Sequence, residues 1–447
     1  MISLGAEISG QQRSDLATLV QAEDLRRLSA HALVAADYTK PQPYILETML
    51  LHLKCILLKD REVKARSWLF LGLITRMATR TGYHREPSHN PAITPLDAEM
   101  RRRVWMFVRE YDIVMSYNHG LVSMIHKQNA DTRSPGNFLD IDLTSGLAVQ
   151  PRFDSEYTPM LLAITYHKLV TIFGEIVYLA STPSSTLEEH YDQFLSLGRA
   201  RGELHPSLKI VPLDQAFSEP TEILLTRIFL EIMYLKATCV LFRRYLGSTS
   251  HPTERQHCLS ASQDLVRRVI ELLEACQPGA RLETCKAFIP RIVHDFNLAA
   301  MLLCSELKRQ SDAVDAITRQ DMTASKTLLL RGCELWRDVL WVAPKAGHAL
   351  KAIERYLHNQ MPGHANNGVS GLSSFANTPF DLTAALPPMD SATTASDGFQ
   401  MSFNMSSGSI GQMAGYNVQD DPLFQDLFGV TMDIPDLSNH NRAFDLE

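Results

Sequence analysis

The residues of this chain able to do chemistry are few and scattered. Its seven cysteines, Cys55, Cys239, Cys258, Cys276, Cys285, Cys304 and Cys333, never come closer than nine positions in sequence. A zinc cluster needs paired Cys-x-x-Cys thiolates that converge on the metal, and no such pair is present. The N-terminus, MISLGAEISGQQRSDLA, has neither a basic start nor an apolar run, so a secreted disulfide framework is not predicted. The cysteines fall on apolar helical faces, as Cys239 does between Leu235 and Phe242, which predicts buried, reduced thiols. There is no Gly-rich phosphate loop, His-Glu-x-x-His or Gly-x-Ser-x-Gly. Asp420-Asp421 could hold a metal in a helical enzyme, but they lie beyond any core, and Glu188-Glu189-His190 read as a solvated helix face. The prediction is a protein that is not an enzyme and holds no metal or cofactor in this chain.

Two further groups carry charge at suggestive spacing. Arg101, Arg102 and Arg103 could bind phosphate, but three consecutive helical residues spread over about 300° and form no single patch. Asp97 and Arg101, and Glu99 and Arg103, stand at i, i+4, which predicts ion pairs within the helix. His84-Arg85 follow Gly82 and predict a turn tied to neighbouring helices.

The elements that position these groups are helices. Phe70, Leu73, Ile74 and Met77 repeat at helical steps, and Gly82 supplies a left-handed stop. Pro87 and Pro91 discourage a restart. Thr94 then serves as N-cap, with Pro95 at the first helical position and Asp97 three residues on. Val104, Phe107, Val108, Tyr111 and Met115 form the apolar stripe of that second helix, with Arg102, Arg109 and Glu110 off it. Similar stripes run through Leu46 to Leu57, Leu162 to Ile176, Leu225 to Cys239, Leu265 to Leu273, Ile289 to Leu303 and Leu328 to Val339. No period-2 run and no simple repeat is visible. The fold class is all-α: one large helical domain of roughly ten or more helices over 1–361, followed by a disordered tail over 362–447.

The segment from Lys64 to Leu143 resembles the regulatory, or middle homology, region of the fungal-specific transcription factors. That family's DNA-binding part is usually a six-cysteine binuclear zinc cluster. The matching residues are Trp68, Gly72, Met77-Ala78, Gly82-Tyr83-His84-Arg85, Glu99, Arg101-Arg102-Arg103, Val104 and Trp105, then Asp112, Ser116, Pro135, Asn137, Asp140 and Asp142. Where the family usually has Gly-Arg-Pro, this chain has Gly120-Leu121-Val122. Leu235 to Leu246 and Cys258 to Leu265 resemble later helices of the same region, so the likeness spans about residues 20 to 310. It implies a nuclear regulator of transcription for a metabolic or secondary-metabolite gene set, reaching DNA only through a zinc-cluster module not found in this chain. It places the signature residues, Trp105, Glu99 and Gly82 among them, in structural roles. Ala35-Asp37-Tyr38-Pro41 look like a segment lying some way into the family's region, which leaves two alternatives: a missing upstream part, or a natural form without the DNA-binding module. A form of the second kind would act as a scaffold that pairs with intact family members, as homo- or heterodimer.

Charge is unevenly spread. The net charge is -7, yet residues 362 to 447 carry ten acidic side chains and one arginine, so the body is close to neutral. A neutral body has no broad basic face for tight non-specific DNA binding. The most apolar window, Ile223 to Phe242, contains Arg227, Glu231 and Lys236, and no membrane partner is expected. Residues 362 to 416 hold too few bulky apolar side chains to offset their ordering entropy. In 420–447, Leu423, Phe424, Leu427 and Phe428 can share one side of a short helix beside Asp420, Asp421 and Asp426. Acidic-hydrophobic mixtures of this kind predict an activation segment that docks a coactivator of the transcription machinery.

Overall fold

Helices begin where the chain supplies a cap. The hydroxyls of Thr94, Thr158 and Thr186 accept hydrogen bonds from the N–H groups of Asp97, Leu161 and Glu189, and proline opens the helices at Pro95 and Pro159. Each cap satisfies one of the N–H groups that a helix start leaves without a partner. The computed structural model describes residues 16–60, 64–144, 150–216, 218–310, 316–338 and 346–359. Among them are twelve α-helices and no strand, in agreement with the all-α reading. They are α1 (Leu16–Ala35), α2 (Ile45–Asp60), α3 (Ala65–Arg80), α4 (Pro95–Asn118), α5 (Asp140–Thr144), α6 (Pro159–Ser181), α7 (Leu187–Gly202), α8 (Thr221–Phe242), α9 (Pro252–Ala275), α10 (Val293–Gln310), α11 (Ala316–Asp338) and α12 (Ala346–Asn359). All twelve fall in one compact unit. The expected tail over 362–447, with its segment 420–447, lies outside the described residues.

Packing is serial. α1 lies on α2, α2 on α3, α3 on α4, α4 on α6, and α6 on both α7 and α8. α8 then meets α9, which carries α10 and α11, and α12 closes against both of those. Two apolar clusters share α8. One joins Ile113, Phe173, Leu197, Leu241 and Phe242, and the other joins Ile232, Leu265, Phe296, Cys333 and Trp336. Gly332 of α11 allows one close approach, because an added Cβ would sit 2.8 Å from the Phe296 ring.

A helix apolar on all sides belongs inside a core, and α8 is buried along nearly its whole length. Glu222 in its first turn stays exposed, but its other three charges go inside with it and find partners. Arg227 bonds Glu219 at 2.9 Å, Arg201 bonds Glu231, and Lys236 meets Asp295 at 2.9 Å. The Lys236 ammonium also lies over the Tyr117 and Phe173 rings at 4.8 and 5.0 Å. Among the described helices, α6 is the one long and apolar enough to cross a membrane, rather than the run from Ile223 to Phe242. Here it packs between α4, α7 and α8 and buries Phe173 and Ile176.

Breaking one partner of a buried pair leaves a charge without compensation, which typically costs about 3–5 kcal/mol. Asp295→Ala should destabilise by that amount in urea denaturation, because Lys236 is then stranded. The double variant Lys236→Met with Asp295→Leu should recover most of the loss.

Candidate functional site

The signature residues converge on one helix pair and one extended arm. α3 and α4 both end in a six-residue turn closed by a glycine in the left-handed region, Gly82 at φ 79° and Gly120 at φ 73°. Tyr83 N–H returns to Ala78 O at 2.9 Å, and Leu121 N–H returns to Ser116 O at 2.9 Å. This is the helix-ending geometry that glycine adopts without a Cβ penalty. The departure at Gly120-Leu121-Val122 therefore keeps the turn; Leu121 and Val122 are exposed.

The arm, residues 121–139, is extended apart from one short 3-10 turn, Lys127–Asn129, so its amides cannot pair among themselves as a helix would. Three buried carboxylates supply acceptors. Asp112, 1% exposed, takes the Ile125 N–H at 2.9 Å and the Ser123 hydroxyl at 2.6 Å. Glu86, 3% exposed, takes the Arg133 N–H at 3.0 Å, while its own N–H donates to Asp131 at 2.9 Å. Glu99, 2% exposed, takes the Gly136 N–H at 3.1 Å, next to buried Pro135. The arm then ties to the stretch that leads into α6. Asn137 donates to Phe153 O at 3.0 Å and Glu156 O at 2.9 Å, and it accepts from the Thr158 hydroxyl that caps α6. Asp140 pairs with Arg103 and Asp142 with Arg152, both at 2.9 Å.

The arginine run spreads as helical geometry requires, but not onto all the expected partners. Arg103 bonds Glu99 at 3.1 Å, as the i, i+4 spacing predicts. Arg102 instead crosses to Glu86. Arg101 does not pair with Asp97, whose carboxylate is occupied by the Thr94 hydroxyl at 2.7 Å. It donates to Thr81 O at 3.2 Å and lies over the Tyr83 ring at 4.7 Å. Trp68 donates its indole N–H to the Ser116 hydroxyl at 3.2 Å, and Trp105, 2% exposed, packs by the His84 ring at 6.2 Å. His84 O accepts from Asp131 N–H at 3.1 Å, and exposed Arg85 approaches Asp131 at 3.7 Å. Gly72 is buried, and a Cβ there would meet Arg76 at 3.3 Å and Met124 of the arm at 3.7 Å.

Burial and bonding act on the three carboxylates in opposite directions. Burial alone would raise Glu86, but Arg102, the Arg133 N–H and Ser88 outweigh it and hold the group at about 2. For Glu99 and Asp112 burial wins, and both are raised despite their donors.

Several readings of the sequence change. Phe107, placed on the buried stripe, is 41% exposed, while Glu110, placed off it, is buried 3.4 Å from His167. The reason is that α4 is packed on two sides, by α3 and by α6. Glu188 and Glu189 are exposed, Glu189 completing a capping box, but His190 is fully buried against Tyr245 rather than solvated. The seven cysteines are free thiols, six buried and Cys304 half-buried. Glu86 carries only a weak sequence signal, an acidic residue between a glycine turn and Pro87. Among the described residues no three His, Cys, Asp or Glu side chains gather as a metal set. Asp420-Asp421 and Leu423, Phe424, Leu427 and Phe428 lie outside the described residues. Two clefts open elsewhere: one of about 470 Å³ between α7, α8 and the 204–210 loop, another of about 580 Å³ beside Leu213, Arg268 and Arg281.

Residues 1–233 match the fungal specific transcription factor domain. The chain is similar to the Zn(2)-C6 fungal-type transcription factor mpsB of Macrophomina phaseolina, with 31% identity over 81% of this chain and 53% of that protein. It is 29% identical to the Zn(2)-C6 fungal-type transcription factor pigI of Monascus ruber, over 89% of this chain and 51% of the relative. It is 31% identical to the pyrrolocin cluster transcription factor fsdR of a fungal species, strain NRRL 50135, over 82% of this chain and 48% of the relative. The chain thus spans about half the length of the curated relatives it matches. No solved structure matches.

Two outcomes follow from this geometry. Glu86 is lowered from its ordinary 4.5 to about 2, so its contribution to stability is complete above pH 4.5 and lost as pH falls towards 2. Glu86→Gln should lower stability at pH 7 and flatten that acid limb in urea denaturation, while Glu99 and Asp112, being raised, push the other way. Trp105→Ala should cost about 3–5 kcal/mol, as removal of a buried indole does, and lower the melting temperature and the protein level together.

Proposed function

This chain belongs to the fungal specific transcription factor domain family, and on that premise we propose that it regulates transcription of a secondary-metabolite gene cluster. The observation that carries the proposal is the domain match over 1–233, together with a relative named as the pyrrolocin cluster transcription factor over 82% of the chain. The chain acts in the nucleus and catalyses no reaction. Zinc, in this reading, belongs to a separate DNA-binding module of the Zn(2)-C6 type, the type named for mpsB and pigI, and not to the helical body. The signature residues serve the fold: Trp68, Gly72, Gly82, His84, Arg85, Glu99, Arg101, Arg102, Arg103, Trp105, Asp112, Ser116 and Pro135 hold α3, α4 and the arm together. The helical body regulates, and the acidic segment 420–447 contacts the transcription machinery. Pairing with a second copy or another family member is the further partner proposed.

The segment 420–447 fused to an unrelated DNA-binding domain should activate a reporter. Replacing Phe424, Leu427 and Phe428 by alanine should abolish that activity, since each buried side chain supplies roughly 1.5–3 kcal/mol of contact energy. Asp426→Asn should only reduce it, because the carboxylates mainly aid encounter with a basic surface. A silent fusion, or a triple variant as active as the parent, would turn the reading towards pairing with intact family members.

A further inference from the structure

The cleft of about 470 Å³ between α7, α8 and the 204–210 loop has the size of a small-ligand site. Two glycines form part of its floor. Gly198 and Gly202 stand one turn apart on α7, and a Cβ built on either meets nothing within 4 Å. Glycine inside a helix is disfavoured relative to alanine, so Gly198 is a poor choice for α7 alone, and it leaves the cleft open.

The charges around that floor are unbalanced. Arg201, Lys209 and Arg227 line the cleft against a single carboxylate, Glu231. Arg201 spends two donors on Glu231, one at 3.1 Å, and lies over the Tyr234 ring at 4.4 Å. Arg227 is 4% exposed; its Nε donates to Ser207 O at 2.7 Å and its Nη2 to Glu219 at 2.9 Å, while Nη1 is buried without a hydrogen-bond partner. Lys209 is exposed, and its ammonium has no acidic partner among the described residues. A guanidinium donor left unpaired in the interior costs free energy that an incoming acceptor would return. Leu204, Leu208, Ile210 and Leu230 form the rest of the wall. Leu208 and Leu230 are buried behind it, and half-buried Leu204 and Ile210 offer apolar surface next to the cations.

We propose that this cleft binds a small organic acid whose anionic head meets Lys209 and the arginines and whose apolar body lies on Leu204 and Ile210 over Gly198 and Gly202. The volume suits a single small molecule. A helical peptide, such as the acidic segment 420–428 could form, has a diameter of about 10 Å with its side chains and needs a longer groove. The site does not depend on the transcriptional reading, and its test uses binding alone.

The test uses the full chain and two naphthyl dyes, the sulfonate 8-anilinonaphthalene-1-sulfonate and its neutral counterpart N-phenyl-1-naphthylamine. The sulfonate should bind saturably at one site per chain, at least tenfold tighter than the neutral dye. Gly198→Leu, whose Cβ enters open space, and the surface change Lys209→Glu should each weaken it at least tenfold, with the circular-dichroism melt unchanged or higher. Equal affinity for the two dyes, no saturable binding, or parent-like binding by either variant would overturn the proposal. So would a tenfold gain in affinity on replacing Phe424, Leu427 and Phe428 by alanine, since the chain's own tail would then be the occupant.

Discussion

An extended arm lying on helices must find acceptors for its amides, and a buried carboxylate must find donors. Each requirement is costly to leave unmet, about 1–3 kcal/mol per neutral group and more for a charge. In this fold they cancel each other. Asp112, Glu99 and Glu86 sit on or beside the α3–α4 pair and take the N–H groups of Ile125, Gly136 and Arg133. The spacing of these carboxylates thereby sets the path of the arm. The arm in turn delivers Asn137 to Thr158, the residue that starts α6. From α6 onward the helices pack on one another through α8 and α9, so the stack continues from the start that this set of hydrogen bonds fixes.

The three carboxylates are not equivalent. Glu86 receives a guanidinium and a backbone donor and stays ionised far into acid, whereas burial dominates at Glu99 and Asp112. Glu99 is nonetheless linked to Arg103 and Arg102, so the two sites share a charge network across the turn between the helices. The same logic recurs in α8. Three of its four charges are interior, and their partners come from α7, the preceding loop and α10, which ties the two apolar clusters together by more than contact area.

Most of the local structure was legible from the chain. The glycine stop at Gly82, the Thr94-Pro95 cap and the i, i+4 pair Glu99–Arg103 all depend on neighbours within a few residues. Most of the failures involve partners distant in sequence. Arg102 finds Glu86 from another segment, and Asp97 is consumed by its own cap, leaving Arg101 to Tyr83. Periodicity assumed one buried face for α4, yet α6 packs on the opposite side and takes Glu110 and His167 inside. His190 was misplaced for the same reason, since nothing local indicates Tyr245. The cleft over Gly198 requires α7, α8 and a loop to meet, which no single stretch reveals; the glycine and arginine spacing alone was too weak a signal.

The claim that buried carboxylates hold the arm is tested most directly by amide hydrogen exchange on the full chain. Peptides covering 123–136 should exchange slowly in the parent protein. In Glu99→Ala the Gly136 amide and its neighbours should exchange at least tenfold faster, while the interior of α8 keeps its parent rate. An arm that exchanges as fast as free peptide in the parent, or one whose protection survives loss of the Glu99 carboxylate, would contradict the account.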